Sequence, residues 1–320
     1  MSRLESIPAA APHIAHRTGA PLVLPVESGD AALLRTLRTT VGEGRVHSVF
    51  TRVVNVLTPD GLLIALAAWD AGHAPRTLTT DVTDWTGCGL AAGQRVTFDR
   101  GVLTLDVPGR PLRLALDGAQ AWNPDTPSLA HLGLGRFAEC AAYLDCLNRL
   151  HGPYGGMLGA ARDAGPMERA VAAALADGRT RFIAAVRTGE PAALRTAVLA
   201  LLGLGPGLTP AGDDFLTGAA LIAALPGSAL GALIPVLQDV LDTHPERTTD
   251  LSLATLREAT DGRARAEVLD VLRLLADEAD PQQLDVPVRK VLAVGHTSGS
   301  DTLSGLIAGL HLEEELRGSL

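Results

Sequence analysis

Two blocks of this chain carry the same local signal. Residues 203–218 read Gly-Leu-Gly-Pro-Gly-Leu-Thr-Pro-Ala-Gly-Asp-Asp-Phe-Leu-Thr-Gly, and residues 296–305 read His-Thr-Ser-Gly-Ser-Asp-Thr-Leu-Ser-Gly. Aligning Asp214 with Asp301 pairs Leu216 with Leu303, Thr217 with Ser304 and Gly218 with Gly305. Each block then enters an apolar, Ala/Gly-rich segment that ends near Leu225 or Leu310. Twice, therefore, a Gly-rich turn delivers an Asp to the start of an apolar helix. The free N–H groups and positive dipole end of a helix start can hold an anion. An added carboxylate can instead hold a metal or a substrate N–H. Two copies in one chain read as the two halves of one site.

Composition narrows the partners. With 47% hydrophobic residues among 320, the chain can bury a substantial core. The net charge of −9 and the absence of any basic run argue against nucleic-acid binding. Cys88, Cys140 and Cys146 form no CxxC pair, which fits free thiols in a reducing cytoplasm, with Cys140 and Cys146 read as core. Met1 to Pro25 lacks the continuous apolar core of a signal peptide, so a cytoplasmic protein is expected. Phe215 to Leu237 carries no charge and is long enough to span a bilayer. Pro226-Gly227 and Pro235 interrupt it, so two buried helices are predicted there and no membrane association.

The periodicity divides the chain near residue 125, giving an α+β fold. Residues 1–125 are β-rich. Val46 to Leu57 reads as one strand, Pro59-Asp60-Gly61 as a turn and Leu62 to Ala68 as the returning strand. Further strands are predicted at 94–98, 102–107 and 112–116, with a short helix at 31–39, which together point to a small antiparallel barrel or a sandwich. Residues 126–320 follow a helical period, beginning with Phe137, Ala141 and Leu144. Helices are predicted at 166–177, 179–188, 191–202, 214–225, 228–242, 249–259, 263–279 and 286–294, and after Asp301. Gly203 and Gly295 stand where C-terminal helix caps belong, just ahead of the two motif loops.

The candidate catalytic residues are Asp214, Asp301 and His296, the last as proton carrier. Gly207, Thr209, Gly212, Asp213, Thr297, Ser298 and Gly299 are the candidate anion-binding residues of the two loops. Asp213 and Asp214 are neighbours and point about 100° apart on a helix, so only one of them can face the site fully. The bland reading makes Asp214 and Asp301 helix N-caps, but caps need no shared Leu-Ser/Thr-Gly sequel. In the N-terminal part His47, Arg52 and Asn55 are candidate substrate-binding residues, because Arg52 could clamp an anion bidentately. The segments Gly72–Thr77 and His151–Gly156 read as further loops near a cleft. The glycine run at 203–207 follows a helix and not a strand, and it lacks a P-loop lysine, so dinucleotide binding is excluded.

At these blocks, and at His47-Ser48-Val49-Phe50 with Arg52 and Asn55, the chain resembles a bacterial family that includes the AllH subunit of oxamate carbamoyltransferase. The resemblance covers most of the chain. It implies a carbamoyltransferase subunit of purine and allantoin catabolism, exchanging oxalurate and phosphate for oxamate and carbamoyl phosphate. It also implies additional carbamoyltransferase subunits as partners. No cofactor is expected from the residues, with Mg²⁺ as the possible exception.

Two rivals remain open from the residues alone. Ser300-Asp301-Thr302 at a helix start looks like the metal loops of ADP-ribosylglycohydrolases, which would make Mg²⁺ the cofactor of a hydrolase acting on a small anionic or nucleotide-like substrate. The uncharged Phe215–Leu237 stretch could instead form the binding face of a non-catalytic subunit.

Overall fold

The computed structural model describes residues 20–318; most of the Met1–Pro25 segment lies outside them. The chain forms a β-barrel followed by a helical body, in agreement with the expected α+β class. The strands are Leu22–Asp30 (β1), Val41–Val49 (β2), Val53–Leu57 (β3), Leu63–Ala68 (β4), Thr77–Thr80 (β5), Arg95–Asp99 (β6), Val102–Leu105 (β7), Leu112–Ala115 (β8) and Gln120–Trp122 (β9). Eight of them close in the order β5-β4-β3-β2-β6-β7-β8-β1, with β1 pairing back onto β5, and β9 extends from β1. Closure removes exposed strand edges. The helix Ala31–Leu37 (α1) follows β1 directly, capped by the Asp30 carboxylate, which accepts from Ala32 N at 2.9 Å.

Three details differ from the sequence reading. Val46 to Leu57 is not one strand, because the chain turns at Phe50–Arg52 and returns as β3, paired antiparallel with β2. The barrel is also not wholly antiparallel: β1 runs parallel to β8 and β9, and β4 runs parallel to β5. Strands β1, β5 and β9 are not among those the sequence predicts: β1 contains Pro25 and Gly29, β5 is Thr-rich, and β9 is only the three residues Gln120–Trp122, so none shows an alternation to read.

Val54 and Val56 of β3, Ile64 and Leu66 of β4, and Leu78 of β5 point into the barrel and pack with Phe98, Leu103 and Trp85. Their neighbours on the opposite face, Asn55, Ala67 and Thr79, are also buried, and Ala65 and Thr77 sit beside them. This wall is therefore covered on both sides, and its outer face meets the helical body.

The helical body comprises Arg136–His151 (α2), Pro166–Thr188 (α3), Pro191–Leu201 (α4), Ala211–Ala223 (α5), Leu233–Thr243 (α6), Asp250–Thr260 (α7), Ala266–Ala276 (α8), Asp285–Leu292 (α9) and Ser298–Arg317 (α10). Every residue of α5 is buried, which is what a helix apolar on all sides requires. Gly178 does not divide α3 as the sequence reading had it. It is buried within one continuous helix, and a Cβ there would lie 2.7 Å from the Leu201 side chain of α4. Cys140 is buried, whereas Cys146 is exposed on α2 and is not a core residue. Among the described residues no helix is long and apolar enough to cross a membrane.

Candidate functional site

Helices α5 and α10 cross at the heart of the helical body. Both begin three residues earlier than their Asp residues suggest, at Ala211 and Ser298, so Asp214 and Asp301 each occupy the fourth helical position. Neither is an N-cap; Pro210 and Thr297 hold those places. The crossing is reciprocal. A Cβ on Gly218 would lie 2.1 Å from Thr302 O and 2.7 Å from Leu306 N, and one on Gly305 would lie 2.0 Å from Phe215 O and 2.9 Å from Ala219 N. Under the alignment of Asp214 with Asp301, Phe215 corresponds to Thr302 and Ala219 to Leu306. The sequence repeat is thus a structural one, two helix–loop–helix units related by a local two-fold.

The two motif loops meet over this crossing. Thr209 Oγ1 lies 2.7 Å from Ser298 Oγ, and both hydroxyls act on the Asp214 carboxylate. Asp214 Oδ2 is buried and has no hydrogen-bond partner among the described residues. Burial, with Asp301 and Asp213 nearby, pushes the Asp214 pKa up to about 8 against the opposing Ser298 and Thr209 hydroxyls. Burial likewise raises Asp301 to about 6, although its Oδ1 accepts from Met157 N at 2.6 Å. Asp301 Oδ2 is also unpartnered.

A cleft of about 1670 Å³ opens between the barrel wall and the two loops. Asp214, Gly207, Thr209, His296, Thr297 and Ser298 line it from the helical side, and Asn55 lines it from the barrel. These seven sequence-predicted residues are brought together.

The remaining candidates lie elsewhere. Asp213 turns away from the cleft: it accepts from Gly203 N at 2.7 Å and from the Thr248 hydroxyl, and so ties the loop to the start of α7. Asp301 sits one layer behind the cleft surface, covered by Gly156, whose Cβ would land 2.2 Å from its Oδ1. Gly212 and Gly299 are packing positions against the carbonyls of Leu201 and Val291. His47 reaches Asp250 of α7 at 3.1 Å. Arg52 is half-exposed and pairs with Asp70 at 3.1 Å. Neither lines the cleft.

Sequence reasoning missed a charged cluster where the barrel meets α7. Arg76, Glu258 and Arg263 all line the cleft. Glu258 is ion-paired with Arg76 and, at 2.6 Å, with Arg263, which also reaches Asp30 at 2.5 Å. The Gly72–Thr77 segment had marked the loop that carries Arg76; Glu258 and Arg263 belong to no motif.

Residues 201–310, which hold both motif loops and their helices, match the family model for oxamate carbamoyltransferase subunit AllH. Residues 25–121, the barrel, match the AllH family N-terminal domain. The chain belongs to the AllH family. No solved structure matches it. The AllH match ends at residue 310 on α10, so it spans the repeat and the crossing that positions Asp214.

Proposed function

We propose that this AllH family member binds the small anions of a carbamoyl transfer in the cleft, with Asp214 as its proton-transferring group. The observation that carries the reading is geometric: the buried Asp214 carboxyl lines the cleft where the two repeat loops join, beside the paired Thr209 and Ser298 hydroxyls, and burial there raises its pKa. In the reaction oxalurate and phosphate give oxamate and carbamoyl phosphate. A phosphate oxygen bonds to the ureido carbon, and the bond from that carbon to the oxamate nitrogen breaks. The departing nitrogen needs a proton, and monohydrogen phosphate has one to lose. A carboxyl with a pKa near 8 can give the first and take the second. Thr209, Thr297 and Ser298 supply hydroxyl donors to the anion, and the N-terminal ends of α5 and α10 favour negative charge there. Asp301, behind the surface, acts through Asp214 as a positioning and electrostatic residue. His296 stands at the exposed rim as a second proton carrier. Other subunits of the same enzyme complete the catalyst.

The test is turnover of the assembled enzyme with Asp214→Asn, set beside thermal shifts of the isolated chain with oxamate and carbamoyl phosphate. The rate should fall by about 100-fold or more, while both ligands still raise the melting temperature. Undiminished turnover would overturn the assignment.

A second reading is favoured by the two unpartnered oxygens of Asp214 and Asp301 beside the Thr209 and Ser298 hydroxyls. This is a hard oxygen set of the kind that Mg²⁺ takes, usually together with substrate phosphate. It predicts a melting-temperature rise with MgCl₂ alone that Asp214→Asn and Asp301→Asn each remove. Equal shifts in all three proteins would exclude it.

A further inference from the structure

The cleft has two chemically distinct ends, and only one holds the repeat loops. Across the barrel wall, the register places Asn55 opposite Ala65 and Ala65 opposite Thr77, in one row over β3, β4 and β5. All three line the cleft. Two strand spacings, roughly 10 Å, separate Asn55 from Thr77. Ala65 between them leaves a shallow floor. Arg76 stands at the head of that row, immediately before β5.

Arg76 is held there against its local preference. Its φ of 53° is in the left-handed region, which non-glycine residues rarely adopt. Its N–H donates to Asp30 Oδ2 at 2.8 Å, and its carbonyl accepts from Ala65 N at 2.9 Å. The Nε–H donates to Glu258. The other two cleft arginines are committed elsewhere: Arg263 to Asp30 and Glu258, Arg265 to Glu267 and the Ala71 carbonyl. Arg76 alone among them keeps both terminal guanidinium nitrogens free of any partner among the described residues, in a side chain about one-quarter exposed. At the other end of the row, Asn55 is buried and gives its amide N–H to Ser48 at 2.9 Å, which leaves its Oδ1 open as an acceptor.

We propose that Arg76 is the specificity residue of the cleft, reading the carboxylate of an oxamate-like substrate while Asn55 Oδ1 accepts from its amide N–H. A planar guanidinium presents two parallel donors to a planar carboxylate, which a lysine ammonium cannot do. An oxalyl group carries a carboxylate at one end and an amide at the other; seated over the Ala65 floor, it takes the Arg76 guanidinium at its carboxylate and Asn55 Oδ1 at its amide, with its nitrogen toward the loops. The anion of the second reactant is left to the Thr209–Ser298 end. This assignment rests on the carbamoyl-transfer reading and extends it to the substrate it selects.

The experiment is calorimetric titration of the full chain with oxamate, with oxamide (the same skeleton with the carboxylate replaced by a neutral amide) and with inorganic phosphate. Wild type should prefer oxamate to oxamide. Arg76→Gln should weaken oxamate roughly 10- to 100-fold and erase that preference, with phosphate affinity unchanged within about twofold, because that anion is assigned to the Thr209–Ser298 end. Arg76→Lys should recover part of the loss, and it is the variant to read if Arg76→Gln does not fold. A preserved oxamate-over-oxamide preference in either folded variant overturns the role of Arg76 and leaves the carbamoyl reading standing. Wild-type protein that binds neither oxamate nor phosphate overturns both.

Discussion

Gly218 and Gly305 occupy the same place in each other's helix. Each lies with its missing side chain against the other's backbone, 2.1 Å from Thr302 O for Gly218 and 2.0 Å from Phe215 O for Gly305. The spacing from Asp to glycine that the two repeats share therefore fixes how closely the two units approach, and that approach brings Thr209 to Ser298 over Asp214. The site is a consequence of how two apolar helices pack.

A methyl group at this crossing has nowhere to go. Gly218→Ala and Gly305→Ala should each cost about 3 kcal/mol of unfolding free energy, read by urea denaturation. Gly87→Ala, where nothing lies within 4 Å, should change stability by less than about 0.5 kcal/mol. Equal effects at all three positions would contradict the close crossing.

The buried acids give the protein a directional pH dependence. Both folded-state pKa values are raised above the ordinary 3.8, to about 8 for Asp214 and about 6 for Asp301. The folded state therefore keeps protons that the unfolded chain has released, and stability falls as pH rises. The fall begins above pH 3.8; Asp301 contributes up to about pH 6 and Asp214 up to about pH 8, and burial of Asp213 adds a shift in the same direction. Each proton contributes at most about 1.4 kcal/mol per pH unit. Asp214→Asn should flatten the slope between pH 6 and 8 and be more stable than wild type at the upper end. A wild-type profile that rises over this window would refute the assignment.

Adjacent acids should behave differently. Asp213 accepts from Gly203 N and from the Thr248 hydroxyl, so Asp213→Ala leaves two donors unpaired and should cost about 2–4 kcal/mol of stability. It should leave oxamate and phosphate binding intact at temperatures where the variant is folded. Ligand loss without destabilisation would place Asp213, and not Asp214, in the cleft.

Asp30 joins the barrel to the helical body. It caps α1, accepts from Arg76 N and pairs with Arg263. Asp30→Ala leaves the largely buried Arg263 with one fewer counter-charge and should cost about 3–5 kcal/mol. In a double-mutant cycle with Arg263→Met the two losses should be strongly non-additive. Simple additivity would show that the pair does not couple the two parts.

The legible elements were those set by local chemistry. The long helices announced themselves through apolar spacing and through Gly203 and Gly295 at their ends, and β6 and β7 through the Asp99-Arg100-Gly101 turn. The start of α5 was read late because Pro210 opens a helix without a side-chain cap, which leaves Asp213 and Asp214 inside the first turn. Strands β1, β5 and β9 were missed because their sequences show no alternation and they acquire partners only from segments far along the chain, β1 from β5 and β8, and β9 from β1.

By itself the sequence determined that two Gly-Asp loops open two apolar helices, because glycine, proline and carboxylate at those spacings act within a few residues of themselves. It also carried the family, through blocks long enough to be specific. What only the tertiary structure decided was which carboxylate faces the cleft, that Asp301 lies behind Gly156, and that Arg52 and His47 point elsewhere while Arg76 points in. Those outcomes depend on helix phase, strand register and burial between segments far apart in the chain, and no local pattern encodes them.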